Sequence, residues 1–125
     1  MSKPLLGIVV THSSIGTALI EAVAGITGTQ DGLVAVSNDG CGIETLRQRI
    51  GECGDLQDCV VFVDLPGGSC YTAAATLRRQ HPGIAVVAGV NLPMLLDFVT
   101  HRDSDVASAV ERALAAGAKG IRVVP

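Results

Sequence analysis

The sequence predicts an α/β domain built around a mostly parallel sheet. Short, continuous apolar runs alternate with segments whose apolar residues have helical spacing, which is typical of consecutive βαβ units. The composition agrees, because 48% of the 125 residues are hydrophobic, 15 are glycine and none is tryptophan. A core of small aliphatic side chains suits closely packed layers of strands and helices. The length is that of one domain, so we predict a single domain over residues 1–125.

The elements follow from runs, spacing and end signals. The predicted strands are residues 5–10, 33–37, 59–64, 84–89 and a short final strand at 119–124. The predicted helices run from Ser14 to Gly28, over 43–53, from about Ser69 to Gln80, from about Pro93, and from Asp103 or Ser104 to about Ala116, with Gly117 as the stop. Residues 59–64 are the most apolar run and are therefore placed near the centre of the sheet.

Charge and cysteine usage exclude several classes of protein. The net charge of −3 argues against a nucleic-acid binder and permits a basic protein partner. No apolar run is long enough for a membrane span, and the apolar start ends in a polar turn, so we interpret it as the first strand instead of a signal peptide. The cysteines lack CxxC or zinc-type spacing, so we predict reduced thiols in a cytoplasmic protein. They are Cys41, Cys53, Cys59 and Cys70.

Polar residues follow the predicted strands where a ligand site is expected. In parallel sheets, ligands bind at the carboxyl ends of the strands. His12 follows the first strand, Asp64 ends the third and Asn91 comes shortly after the fourth. The candidate site therefore lies in the loops 11–14, 64–69 and 89–93.

His12 lies directly before a predicted helix start. Free N–H groups and the helix dipole favour anions there, and Ser13 and Ser14 add hydroxyl groups. A histidine in this place can bind an anion, act as a base, or accept a phosphoryl group as a nucleophile. The alternatives are a solvated loop residue or a contact that caps the helix.

Asp64 is a carboxylate at the end of a buried strand and needs a partner. If the first and third strands are neighbours, it can accept a hydrogen bond from one ring nitrogen of His12 and leave the other nitrogen free to attack. Otherwise it caps the next turn. Gly67 and Gly68 permit a nest of backbone N–H groups, and the hydroxyl of Ser69 can cap the third helix or bind a phosphate oxygen.

Other chemistries find little support in the sequence. No GxGxxG, Walker or GxSxG pattern occurs. The stretch "THSSIGTA" has the hydroxyl-rich character of a flavin phosphate loop, but the chain has few aromatic residues on which to stack the ring. No acidic cluster suited to magnesium is present, so no metal or cofactor is predicted. His81 and His101 are expected at the surface or at a helix end.

Three segments together resemble a known family. "GIVVTHSSIGTALIEAV", "VVFVDLPGGSCYTAAATL" and "VVAGVNLPMLLDFV" are similar, in order and spacing, to the IIA component of the mannose-type bacterial phosphotransferase system. The resemblance implies a three-layer sandwich with a four-stranded parallel sheet plus an antiparallel edge strand. In that family the edge strand is C-terminal and exchanged within a homodimer, and residues 119–124 match it in position.

The resemblance also implies a phosphoryl carrier, with phospho-HPr as donor and a IIB component as acceptor, in sugar uptake. His12 matches the phosphorylated histidine, with Nε2 as the attacking atom, and Asp64 matches the aspartate that orients it. Ser69, Gly67 and Gly68 match the phosphate pocket. Ser13, which we also expect at the phosphate, stands where the family often has glycine, and Pro66 stands where a bulky residue is common.

Three alternatives remain beside transport. The chain could be a regulatory phosphoprotein, in which the same His12 is phosphorylated but its state is read by another protein. It could be the phosphocarrier of a dihydroxyacetone kinase system, which shares the fold and which "THSS" also resembles. It could also be an unrelated anion-binding protein in which His12 is structural. No nucleic acid is expected as partner, and any association with a membrane transporter is peripheral.

Overall fold

The apolar runs form the strands of one sheet in the computed structural model, which describes residues 3–125. The strands are β1 (Leu6–Thr11), β2 (Leu33–Ser37), β3 (Cys59–Val63) and β4 (Ala85–Ala88). The helices are α1 (Ile15–Thr27), α2 (Ile43–Gly51), α3 (Gly68–Gln80), α4 (Leu92–Thr100) and α5 (Val106–Lys119), with a 3-10 turn at Leu56–Asp58.

The sheet is parallel, with the strand order β2-β1-β3-β4. The most apolar run, β3, lies inside the sheet as predicted, and every one of its residues is buried. The register pairs Val10 of β1 with Val63 of β3. Because these two strands end side by side, the residues that follow them meet at the carboxyl edge of the sheet.

Helices cover both faces of the sheet and produce three layers. On one face, α1, α4 and α5 pack over a cluster that includes Val9, Phe62 and Phe98. The rings of Phe62 and Phe98 meet edge to face, with their centroids 5.2 Å apart. On the other face, α2 and α3 pack over a cluster that includes Ile8 and Val61. The predicted four-stranded parallel sheet flanked by helices is therefore confirmed.

The ends of α5 differ from the prediction. Asp105, and not Asp103 or Ser104, is the N-cap, and its carboxylate accepts a hydrogen bond from the Ser108 N–H at 2.7 Å. Gly117 does not end the helix, which continues to Lys119. A Cβ on Gly117 would come within 2.8 Å of Met94, so this glycine serves the close packing of α5 against α4. Helix-stop and packing glycines give the same signal in a sequence.

The predicted final strand over 119–124 is not formed in the single chain. Lys119 belongs to α5, and residues 121–125 have no regular structure. Ile121, Val123 and Val124 are 77%, 93% and 83% exposed. A strand exists only when hydrogen-bonded to another, and the tail has no neighbouring strand within its own chain.

The structure also describes the hydropathy of the helices and the state of the cysteines. Within residues 3–125, no helix combines the length and the hydropathy needed to cross a bilayer. The four cysteines are all free thiols, and Cys59 and Cys70 are buried.

Candidate functional site

The ends of β1 and β3 bring His12 and Asp64 together at the carboxyl edge. Nδ1 of His12 lies 2.8 Å from Oδ2 of Asp64, and the backbone N–H of His12 donates to the same oxygen at 2.8 Å. The other carboxylate oxygen accepts from the N–H of Leu65 at 3.1 Å. The aspartate therefore fixes both the backbone and the ring of His12. This is the juxtaposition that the strand pattern predicted.

The protonation of the pair follows from its hydrogen bonds. Burial raises the pKa of Asp64, but the hydrogen bonds from the backbone N–H and the ring of His12 outweigh this effect and hold the pKa below its usual value. The resulting carboxylate can only accept, so Nδ1 carries the hydrogen that joins them. In the neutral ring this leaves the lone pair of Nε2 free. The carboxylate is sheltered, with 9% exposure, whereas the imidazole is 41% exposed and open to a reactant.

The turn after β1 is fixed by hydrogen bonds from two sides. Ser13 has a φ of +53°, in the left-handed region that non-glycine residues rarely adopt. Its N–H donates to Oδ1 of Asn38 at 3.2 Å, and the Thr11 hydroxyl oxygen accepts the Gly16 N–H at 2.7 Å. Asn38 itself is held by its N–H, which donates to the carbonyl of Thr11 at 3.1 Å. These contacts support the one non-glycine residue with positive φ in the described chain.

The Gly67–Gly68 loop brings the N-terminus of α3 to the exposed side of the His12 ring. Both glycines have positive φ, at +151° and +79°. A Cβ on Gly68 would lie 3.7 Å from Nε2 of His12, in van der Waals contact, so the glycine keeps space free beside this atom. The first N–H groups of a helix lack intrahelical acceptors and favour an anion. This edge of the ring therefore faces an electropositive backbone.

Ser69 does not cap α3, because the N-cap is Gly67 and no side-chain cap bond is made. Its hydroxyl instead accepts a long hydrogen bond from Nδ2 of Asn38 at 3.5 Å. Ser69 therefore does not have the helix-capping role, and a contact with phosphate stays a prediction. Asn38 thus links the turn that holds Ser13 with the start of α3.

Sequence reasoning missed two residues at this edge. Asn38 follows β2, which neighbours β1, so its position directly after a strand was the available signal. Cys70 is fully buried in the first turn of α3, with Sγ 3.9 Å from Nδ1 of His12. Burial, together with the nearby Asp64 carboxylate, raises the pKa of this thiol to about 11. Its place after the Gly-Gly-Ser stretch could have indicated the contact.

Asn91, in the third loop singled out from the sequence, has a structural role. Its side chain caps α4 by accepting the Met94 N–H at 3.1 Å, and its amide donates to the carbonyl of Gly117 at 3.0 Å. Both hydrogen-bonding ends are occupied in joining α4 to α5. His81 and His101 lie at the C-terminal ends of α3 and α4, as expected.

Residues 7–115 match the family described as the PTS system fructose IIA component. The chain belongs to the mannose-type IIA family of the bacterial phosphotransferase system. It is 32% identical over 97 residues to the fructose-specific EIIA component of Bacillus subtilis, covering 74% of this chain and 66% of that protein. It is 31% identical over 87 residues to the sorbose-specific EIIA component of Klebsiella pneumoniae, covering 70% and 58%. The matched part of the chain thus spans about two thirds or less of the length of these two relatives.

Solved structures show the same fold. The phosphotransferase system component EIIA from Streptococcus agalactiae has a TM-score of 0.88 at 24% identity, covering 95% of this chain and 96% of that one. The mannose/sorbose-specific IIA subunit from Enterococcus faecalis has a TM-score of 0.83 at 19% identity, covering 98% and 96%. At these identities the likeness concerns the fold alone.

Proposed function

We propose that the protein is a phosphoryl carrier in sugar uptake. His12 accepts a phosphoryl group from phospho-HPr on Nε2 and passes it to a IIB component. The observation that carries this proposal is the 2.8 Å contact between Nδ1 of His12 and Asp64, which leaves Nε2 free and exposed. Membership of the IIA family supports the reaction class, as do the names of its fructose- and sorbose-specific relatives.

In the proposed step the lone pair of Nε2 attacks phosphorus in line with the bond to the donor. That bond breaks, and its electron pair stays on the ring nitrogen of the donor histidine. The His12 ring becomes a cation while Nδ1–H still donates to Asp64, whose charge stabilises it. The backbone N–H of Gly68, with the hydroxyls of Ser13 and Ser69, would bind the phosphoryl oxygens. The Gly67 N–H donates to the carbonyl of Leu65 at 3.0 Å and would have to exchange that partner to take part. Attack by the acceptor reverses the sequence.

The experiment is phosphorylation with phosphoenolpyruvate, enzyme I and HPr, followed by intact mass before and after brief acid treatment. We expect one acid-labile phosphoryl group on the wild type and on His101→Ala, and none on His12→Ala. No mass gain on the wild type, with phospho-HPr shown to be present, would contradict the proposal. Adding a IIB component should then remove the group. A phosphoryl group that leaves only to a dihydroxyacetone kinase subunit would contradict transport and favour that system.

We also propose that two chains associate through the C-terminal tail. In the part of the chain that the structure describes, β4 pairs with β3 alone, so its outer edge is open. A groove of about 520 Å³ lies beside this edge, lined in part by Val86, Val106 and Val110. The exposed apolar residues after α5 would fill it as an antiparallel strand of the partner, covering both apolar surfaces.

Light scattering after size exclusion tests this association. The wild type should have the mass of a dimer, and Val123→Asp should shift it towards the monomer. The matched control is Ile26→Asp, which alters another exposed apolar residue, on α1. A monomeric wild type, or an equal response to both substitutions, would contradict the exchange.

A further inference from the structure

We propose that His12, Asp64 and Cys70 form a binding site for a zinc-type divalent ion, and that this ion and the phosphoryl group exclude each other. The exclusion rests on the proposed function, whereas the metal site does not. The three residues come from the loop after β1, the end of β3 and the first turn of α3. One ligand atom from each lies within 4.8 Å of the others.

The donor set and its spacing match zinc chemistry. Imidazole nitrogen, carboxylate oxygen and thiolate sulfur are the three donors that proteins use for Zn²⁺, and the thiolate disfavours magnesium and calcium. Bonds of about 2.0–2.3 Å in a tetrahedron place ligand atoms roughly 3.3–3.8 Å apart. Here Nδ1 lies 2.8 Å from Oδ2 and 3.9 Å from Sγ, and no two of the three atoms are more than 4.8 Å apart, so an ion needs shifts of up to about 1 Å in the carboxylate and the thiol. Three protein ligands leave a fourth position for water.

Cys70 is the residue that turns a histidine–aspartate pair into a metal site. The phosphoryl step uses the ring and the carboxylate but gives the thiol nothing to do. Yet Sγ is directed to the same ring nitrogen that Asp64 contacts, and not to Nε2, where the phosphoryl group would arrive. All three donors therefore converge on the Nδ1 side of the ring.

Exclusion follows from counting protons and lone pairs. In the metal-free site Nδ1 and Sγ each carry a hydrogen. The ion replaces both: the ring proton passes through water to Nε2, and the thiol proton is released to solvent. Nε2 then has a hydrogen and no lone pair with which to attack phosphorus. Conversely, a phosphoryl group on Nε2 leaves Nδ1 protonated and hydrogen-bonded to Asp64, so that the ring cannot ligate a metal.

Cobalt(II) titration of the metal-free, reduced protein tests the site without any phosphotransferase partner. The wild type should bind one ion per chain with a thiolate-to-cobalt charge-transfer band. Cys70→Ala should lose the band and bind zinc at least about tenfold more weakly in competition with a chelator. The matched control is Cys53→Ala, which removes a half-buried thiol just after α2, near Cys59 at the start of β3.

A wild type without the band, or a Cys70→Ala variant that keeps it, would overturn the site. Should Cys70→Ala fail to fold, His12→Ala serves as the second variant, since it must also lose the bound ion.

A second arm tests the exclusion. Wild type saturated with zinc should take up no phosphoryl group from phospho-HPr, and a chelator should restore uptake. At a zinc concentration that just saturates the wild type, uptake by Cys70→Ala should be close to that of the same variant free of zinc. Equal uptake by wild type with and without zinc would overturn the exclusion. If wild type takes up no phosphoryl group even without zinc, the proposed function fails, and the cobalt titration still decides the metal site.

Discussion

Two histidine–aspartate pairs in this chain allow a direct comparison. In the first, Nδ1 of His12 lies 2.8 Å from Asp64, and in the second, Nδ1 of His101 lies 3.4 Å from Asp97. The imidazoles are similarly exposed, at 41% and 37%. The first pair joins residues 52 positions apart, brought together by neighbouring strands, whereas the second is four residues apart on one helix. The pairs therefore share their residue types, but only in the first is the ring hydrogen-bonded to the carboxylate.

The surroundings of the two rings have opposite electrostatic character. His12 lies directly before α1 and beside the start of α3, where the positive ends of the helix dipoles attract anions. His101 is the C-cap of α4, and its Nδ1 also lies 2.9 Å from the carbonyl oxygen of Asp97 and 3.1 Å from the hydroxyl of Thr100. A helix C-terminus repels a phosphoryl group. This difference in the surrounding backbone is the reason why we propose His12, and not His101, as the phosphoryl site.

The largest expected effect separates the two aspartates. Asp64→Asn should slow phosphoryl uptake from phospho-HPr by about 10²–10⁴-fold, because an amide neither holds the reactive tautomer nor stabilises the ring cation. Asp97→Asn should leave uptake within about twofold of wild type, since its histidine takes no part. Initial rates at matched concentrations measure both. An initial rate for Asp64→Asn close to that of the wild type would contradict the role proposed for Asp64.

A smaller effect is expected from the backbone that faces Nε2. Gly68→Ala places a methyl group 3.7 Å from this atom and should slow uptake roughly tenfold. Gly40→Ala is the matched control: its φ of +72° resembles the +79° of Gly68, but nothing lies within 4 Å of its Cβ position. Both should lower the free energy of unfolding by about 1–2 kcal/mol, measured with urea. Equal loss of uptake in the two variants would argue that strain, and not the approach to His12, is responsible.

The smallest effect concerns the two asparagines that follow β2 and β4. Asn38→Ala removes the acceptor of the Ser13 N–H and the contact to Ser69, so we expect a several-fold slower uptake. Asn91→Ala removes the cap of α4 and should cost about 1 kcal/mol of stability without slowing uptake. Rates together with unfolding curves distinguish the two. If uptake slowed in Asn91→Ala but not in Asn38→Ala, the loop after β4, and not the loop after β2, would belong to the site.

Most of the sheet could be predicted because its signals are local. Each strand is mostly an apolar run, and a polar residue directly follows β1, β2 and β3, at His12, Asn38 and Asp64. The juxtaposition of His12 and Asp64 needed only one further assumption, that β1 and β3 are neighbours, which the register bears out. The roles of the pair are predictions that the experiments above address.

The features that sequence reasoning missed depend on packing between distant segments. In the sequence nothing distinguishes Cys70 from the other three thiols, and only the packing of α3 beside the end of β1 brings it to the His12 ring. Asn38 required the strand order and the loop conformation together. The sequence predicts a helix stop at Gly117 because it does not show that Met94 packs against this residue. The tail was assigned a strand whose partner a single chain does not contain.

The most direct test of the central claim is nitrogen-15 NMR of the phosphorylated protein with labelled histidines. It reports which ring nitrogen of which histidine carries phosphorus. We predict a single phosphohistidine, with phosphorus on Nε2 of His12 and the hydrogen retained on Nδ1 facing Asp64. Phosphorus on Nδ1 of His12, or on His81 or His101, would contradict the assignment of the site.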